Sequence, residues 1–131
     1  MLRTRSILSP RSSADGLRVS VMSRHTLNDG VTPDSSILPS TIDLHWPFFG
    51  PNPKLIGDYL RRDLPWEAFE RRYLEQLEQV SLLPHLSKLV ELSRCHDITL
   101  MCIEHEPEHC HRRLLAEHCK RIDPKLEISI A

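Results

Sequence analysis

The chain has no apolar run approaching the ~18 residues needed to span a bilayer, so no transmembrane helix is expected among its 131 residues. The first residues, MLRTRSILSPRSS, lack an apolar stretch long enough for a secretory signal. No excess of either charge sign is present. The net charge of −1 excludes a global pull toward nucleic acid or an anionic membrane and leaves only local patches. Aromatic residues make up only 5%, so each one is a candidate anchor. The four cysteines fall at irregular spacing, without paired Cys-x-x-Cys motifs. That argues against a disulfide framework and for free thiols in a reducing cytoplasm. Repeats and low-complexity linkers are also missing, and the length suits a single domain, residues 1–131, with one core.

What is present reads as an α/β chain. Residues 2–8 (LRTRSIL) partly alternate, and residues 17–22 (LRVSVM) alternate well, so both are expected as strands. Residues 26–41, with Gly30, Pro33 and Pro39, read as a long irregular loop of the functional or mobile kind. Residues 43–53 (DLHWPFFGPNP) carry too many prolines for a helix. Their Trp46, Phe48 and Phe49 are expected to anchor a loop on the core. Helical spacing of apolar residues predicts helices over 54–61, 66–80, 82–92 and 108–121. Pro107 suits the first position of the last one. Between the third and fourth helices, residues 97–103 (DITLMCI) are an apolar run expected as a strand buried on both faces. A last strand is expected at 126–130. The order helix, strand, helix, strand implies a parallel βαβ unit. The expected architecture is therefore a small single-domain α/β fold with a mostly parallel central sheet flanked by helices.

The chemistry gathers in residues 98–113, ITLMCIEHEPEHCHRR, which run from a strand through an acidic, histidine-rich turn into a helix. In parallel sheets ligands bind beyond the carboxyl ends of the strands. Arg24 follows the second strand there, Glu104 follows the central strand, and Cys110, His111 and Arg112 open the next helix. Cys110 in a first helical turn would have a lowered thiol pKa, suiting it to nucleophilic or redox chemistry. Its plain alternative is core filling. Glu104, partly buried, would suit general acid or base work, and its plain alternative is a cap or ion pair. Arg112 and backbone N–H groups, assisted by Arg24 and His111, would hold a phosphate or carboxylate. The competing role for Arg112 is a buried ion pair with Glu104. A Cys-x5-Arg phosphatase loop is excluded, because position 116 is alanine.

A metal site is not expected from spacing. Cys102, His105, His109, Cys110 and His111 form one cluster without the second pair that structural zinc sites usually show. Cys95, His118 and Cys119 read as packing or surface residues.

Two segments resemble the domain of unknown function 488 family. CIEHEPEHCHRRLLA, residues 102–116, resembles its C-x-E-x-x-P-x-x-C-H-R signature and following helix. NPKLIGDYLRRDLPWEAFERRYLEQL, residues 52–77, resembles the central helices of long-form members, with Trp66, Glu67, Phe69, Arg72 and Tyr73 in their W-E-x-F-x-x-R-Y pattern. Residues 18–24 resemble the second strand ending in arginine. The likeness is good from Asn52 onward and partial before it. Arg24 leads into HTLNDG, where long-form members usually have a Pro-Arg-Gly turn. The resemblance implies a compact α/β fold and soluble intracellular members, and matches Glu104, Cys110, His111 and Arg112 to the motif. It implies little about activity.

Three functions fit these residues. One is an enzyme or nucleotide-handling domain in which Arg24 and Arg112 hold an anion and Cys110 or Glu104 does chemistry. The second is a non-catalytic ligand- or nucleic-acid-binding module, favoured if Arg61, Arg62, Arg71 and Arg72 make a continuous basic face. The third is a partner-binding or structural protein whose motif locks a strand-to-helix turn. The expected partner is a small anionic ligand or nucleotide, with no membrane, cofactor or metal.

Overall fold

A computed structural model describes all residues, 1–131. Five strands form one sheet: β1 (Leu2–Ser6), β2 (Leu17–Ser20), β3 (Leu44–His45), β4 (Ile98–Cys102) and β5 (Ile128–Ser129). Every pairing is parallel and the spatial order is β3-β2-β4-β1-β5. The apolar run thus becomes the central strand, with all five residues buried. Four helices follow the predicted pattern: α1 (Pro53–Arg61), α2 (Trp66–Leu77), α3 (Leu83–Cys95) and α4 (His111–Ile122).

Three local expectations are corrected. The proline-rich stretch 43–53 contains β3, a two-residue edge strand that pairs Leu44 with Val19. Its carbonyl and N–H groups extend the sheet without needing a long periodic run. Helix α4 begins at His111, with Cys110 as its N-cap. Pro107 instead closes a turn by accepting the Cys110 N–H at 3.2 Å. The βαβ unit formed by β4, α4 and β5 skips a position, because β1 lies between the two strands.

Period-2 side-chain alternation splits the sheet into two unlike faces. Leu2, Val19, Val21, Ile98 and Leu100 face the helices and join Phe69, Tyr73, Leu77, Leu86, Leu89, Leu114 and Leu115 in the main core. The opposite face carries buried polar residues, among them Arg18, Ser20 and Thr99. The helices leave it to the segment 7–16, which returns from β1 to β2 with only a short 3-10 turn, Ser13–Asp15. Asp15 seals this face. Its carboxylate accepts from Arg18 at 3.0 Å, Arg5 at 2.9 Å and the Ser12 N–H at 2.9 Å, while its carbonyl accepts from the Thr99 hydroxyl. A second small cluster of Ile7, Met22, Met101, Cys102 and Cys110 fills the carboxyl end of the sheet.

The strand order decides where a ligand can enter. The chain leaves β2 outward to β3, and leaves β4 in the opposite direction, through α4 to β5. The loops therefore diverge between β2 and β4 and leave a crevice there, the usual ligand position in open parallel sheets.

Candidate functional site at the divergence of two strands

A cavity of about 160 Å³ lies at that crevice. One wall comes from the segment after β2, including Met22, Arg24, Leu27, Asn28 and Gly30. The facing wall comes from Cys102, Ile103, Glu104, His109, Cys110 and His111 after β4. The third wall is apolar and aromatic, with Ile56 and Tyr59 of α1 and Trp66 and Phe69 of α2. Trp66 stacks on His109 with ring centroids 4.8 Å apart, and Tyr59 meets Phe69 at 4.8 Å. Pocket walls of this kind bind flat or apolar groups, while a few polar atoms orient them.

The segment 26–33 is shaped at the rim. Thr26 and Pro33 form an antiparallel bridge. Arg24 donates to the Gly30 carbonyl at 3.3 Å, and Arg61 donates to the Asn28 carbonyl at 3.1 Å. Gly30 has a positive φ of 74°, and a Cβ there would sit 3.0 Å from the Arg24 guanidinium. Neither Arg24 nor Arg61 is paired with a carboxylate, whereas Arg62 and Arg72 both pair with Asp58. The five arginines thus divide into Arg62 and Arg72, which share Asp58, Arg24 and Arg61, which line the cavity without a carboxylate partner, and Arg71, which is exposed; the continuous basic face that would favour a nucleic-acid-binding module is interrupted.

The structure separates the two arginines expected to act together. Arg24 lines the cavity and is exposed. Arg112 is fully buried and does not line it. Its guanidinium donates to the main-chain oxygens of Glu104 (2.8 Å), His105 (3.3 Å) and Ala131 (3.2 Å). The contact with Glu104 is to its carbonyl, so the alternative of a buried ion pair is not formed either. The Glu104 carboxylate is exposed on the cavity wall, not partly buried as expected. Arg113 completes the clamp by donating to the Glu108 carbonyl at 2.9 Å. The double arginine opening α4 therefore fixes the turn from 104 to 110, because guanidinium forks satisfy carbonyls that the turn cannot pair internally.

That clamp places three sulfur and nitrogen atoms together. Cys102 ends β4, Cys110 caps α4 and His111 opens it, and all three are buried. The two Sγ atoms and an imidazole nitrogen of His111 lie within 4.8 Å of one another. His111 Nδ1 is 3.7 Å from Cys102 Sγ, and its Nε2 is 2.7 Å from the Val21 carbonyl. A carbonyl only accepts, so Nε2 carries the proton and Nδ1 presents its lone pair to the thiols.

The thiols do not behave as the sequence suggested. Burial pushes the Cys110 thiol well up, and neighbouring Cys102 adds to the effect. The lowered thiol belongs instead to Cys102, drawn down chiefly by the Cys110 thiol against the opposing effect of its own burial. Cys119, buried in the main core, is pushed up to about 12 by desolvation. Cys102 stands in the sequence as a strand residue and as one member of a cluster whose spacing does not point to metal. Its relation to Cys110 comes from the turn that folds position 110 back onto the strand end, which spacing in the sequence does not reveal.

No helix is long and apolar enough to cross a membrane. Neither the curated proteins nor the solved structures gave a match to the chain. A family model does match, across both flanks of the crevice and nearly the whole sheet. Residues 2–122 match DUF488-N3a, described as the active DUF488-N3 subclade, and the chain belongs to that family.

Proposed function

We propose that this protein is a small enzyme that binds an anionic small molecule, of the nucleotide class, in the crevice between β2 and β4. The observation that carries this reading is the pairing of two cations, Arg24 and Arg61, both free of carboxylate partners, with an aromatic wall of Tyr59, Trp66 and Phe69 in one cavity. A planar ring fits against such a wall, and guanidinium groups suit phosphate oxygens. The cavity of about 160 Å³ is below the ~300–1,000 Å³ usual for larger ligands. A small molecule, or one end of a longer one, is thus the fitting occupant. Glu104, exposed on the facing wall, supplies the acid–base group. Arg112 serves this site indirectly, by holding the turn that carries Glu104.

A thermal-melt series with inorganic phosphate, mononucleotides and short oligonucleotides tests the reading. A ligand at about 100 times its Kd stabilises by about 2.7 kcal/mol, or roughly 10 °C for a chain of this size. A mononucleotide should give such a shift in the wild type, and the double variant Arg24→Ala/Arg61→Ala should lose it while melting near the wild type without ligand. No shift with any ligand refutes the anion site. A shift only with oligonucleotides supports instead a nucleic-acid-binding module.

A further inference from the structure

We propose that Cys102, Cys110 and His111 form a zinc site with three protein ligands and a fourth position open to the cavity. The first support is distance. Zinc binds thiolate sulfur at about 2.3 Å and imidazole nitrogen at about 2.0–2.1 Å in tetrahedral geometry. Those bond lengths place sulfur and nitrogen about 3.6 Å apart, and two sulfurs about 3.8 Å apart. The Cys102 Sγ to His111 Nδ1 separation is 3.7 Å, and all three atoms lie within 4.8 Å. Only small side-chain rotations are needed to enclose an ion.

The second support is orientation. Histidine ligands to metals usually donate their other N–H to a carbonyl or carboxylate, which fixes the ring and its tautomer. His111 donates from Nε2 to the Val21 carbonyl at 2.7 Å and turns the bare Nδ1 toward the sulfurs. The turn bearing Cys110 is itself held by Arg112 and Arg113. The ligands are thus arranged by the fold before any ion arrives.

The third support is charge and softness. Two thiolates and a neutral imidazole around a divalent ion sum to zero charge, as a buried position requires. Sulfur and imidazole donors select zinc over magnesium or calcium. Binding replaces the two thiol protons with the ion, releasing those protons to solvent without any change of oxidation state. Structural zinc sites are closed by four protein ligands, whereas sites with three and an open position hold water or substrate. All three residues line the cavity, and Glu104 lies on the same wall, where it would accept a proton from a water held at the open position.

The test uses the full chain, reduced and stripped of metal, with metal alone and no nucleotide, so its result is separate from the anion reading. Cobalt(II) should titrate to about one equivalent, with thiolate-to-cobalt charge-transfer absorption and the intense visible bands of tetrahedral coordination. Zinc should displace it. Cys102→Ser and Cys110→Ser should each weaken binding by about tenfold or more, while Cys95→Ser and Cys119→Ser should leave it unchanged. Proton release of about two per zinc, measured on the wild type, decides the matter should a variant fail to fold. A featureless cobalt spectrum in folded wild type, no proton release, or an unchanged spectrum in folded Cys102→Ser overturns the proposal.

Discussion

Replacing Arg112 with alanine is expected to destabilise the fold strongly without stranding an acidic side chain. The guanidinium is fully buried and its partners are the main-chain oxygens of Glu104, His105 and Ala131, not an acidic side chain. Hydrogen bonds to a charged group are worth about 1.5–3 kcal/mol each, and a buried polar group left without a partner costs about 1–3 kcal/mol. The His105 bond, at 3.3 Å, is the weakest of the set. Some of the loss is offset because a desolvated cation is also removed. The net destabilisation expected is about 3–5 kcal/mol. At roughly 2.1 cal/mol/K per residue, the unfolding entropy near the midpoint is about 0.28 kcal/mol/K, so Tm should fall by roughly 11–18 °C. Urea unfolding should show a lower midpoint with an unchanged slope. The decisive comparison is with Glu104→Ala. Because Arg112 touches only the Glu104 backbone, Glu104→Ala should leave stability within about 0.5 kcal/mol of the wild type, and the double variant should show a coupling below about 0.5 kcal/mol. Coupling above 1 kcal/mol would mean that the carboxylate shares in the clamp. A loss under about 1 kcal/mol for Arg112→Ala alone would refute the clamp itself.

Three further outcomes follow from the polar face of the sheet and the segment that covers it. Burial alone would raise the Asp15 carboxyl, but the Ser12 N–H, Arg5 and Arg18 overcome it and hold it below the usual 3.8. A carboxyl depressed on folding stabilises above its unfolded pKa, and that contribution is lost as pH falls through the folded pKa. Acid unfolding of the wild type should therefore steepen below about pH 4. Asp15→Asn should flatten this dependence, read by circular dichroism across pH, and an unchanged acid limb would contradict it. Asp15→Ala at neutral pH should cost about 3–5 kcal/mol by leaving the buried Arg18 uncompensated, measurable by urea titration; a loss below 1 kcal/mol would refute that pairing. Gly16 has a φ of 61°, and a Cβ there would lie 2.1 Å from the Asp97 carbonyl oxygen. Gly16→Ala should therefore destabilise by at least about 2 kcal/mol, and a melting point equal to the wild type would show that the segment relaxes freely.

The chain's periodicity determined most of its architecture. An unbroken apolar run made β4 the buried central strand, and helical spacing located all four helices within a few residues, because solvent exclusion acts on each amphipathic segment locally. The clustering of Glu104, Cys110, His111 and Arg112 was equally visible, as was the strand-end position of Arg24. Their division of labour was not. Whether Arg112 faces a ligand or the backbone depends on which carbonyls the 104–110 turn leaves unpaired, and on the C-terminal segment that brings Ala131 beside it. The short strand β3 is not legible in the sequence, because two residues carry no period and only the open edge of β2 recruits them. The meeting of Cys102 with Cys110 and His111 also belongs to tertiary structure. The strand and the helix start are separate in sequence, and it is the pinned turn that returns one to the other. Local patterning thus set the elements, while long-range hydrogen bonding decided which of the motif's side chains face the cavity and which hold the protein together.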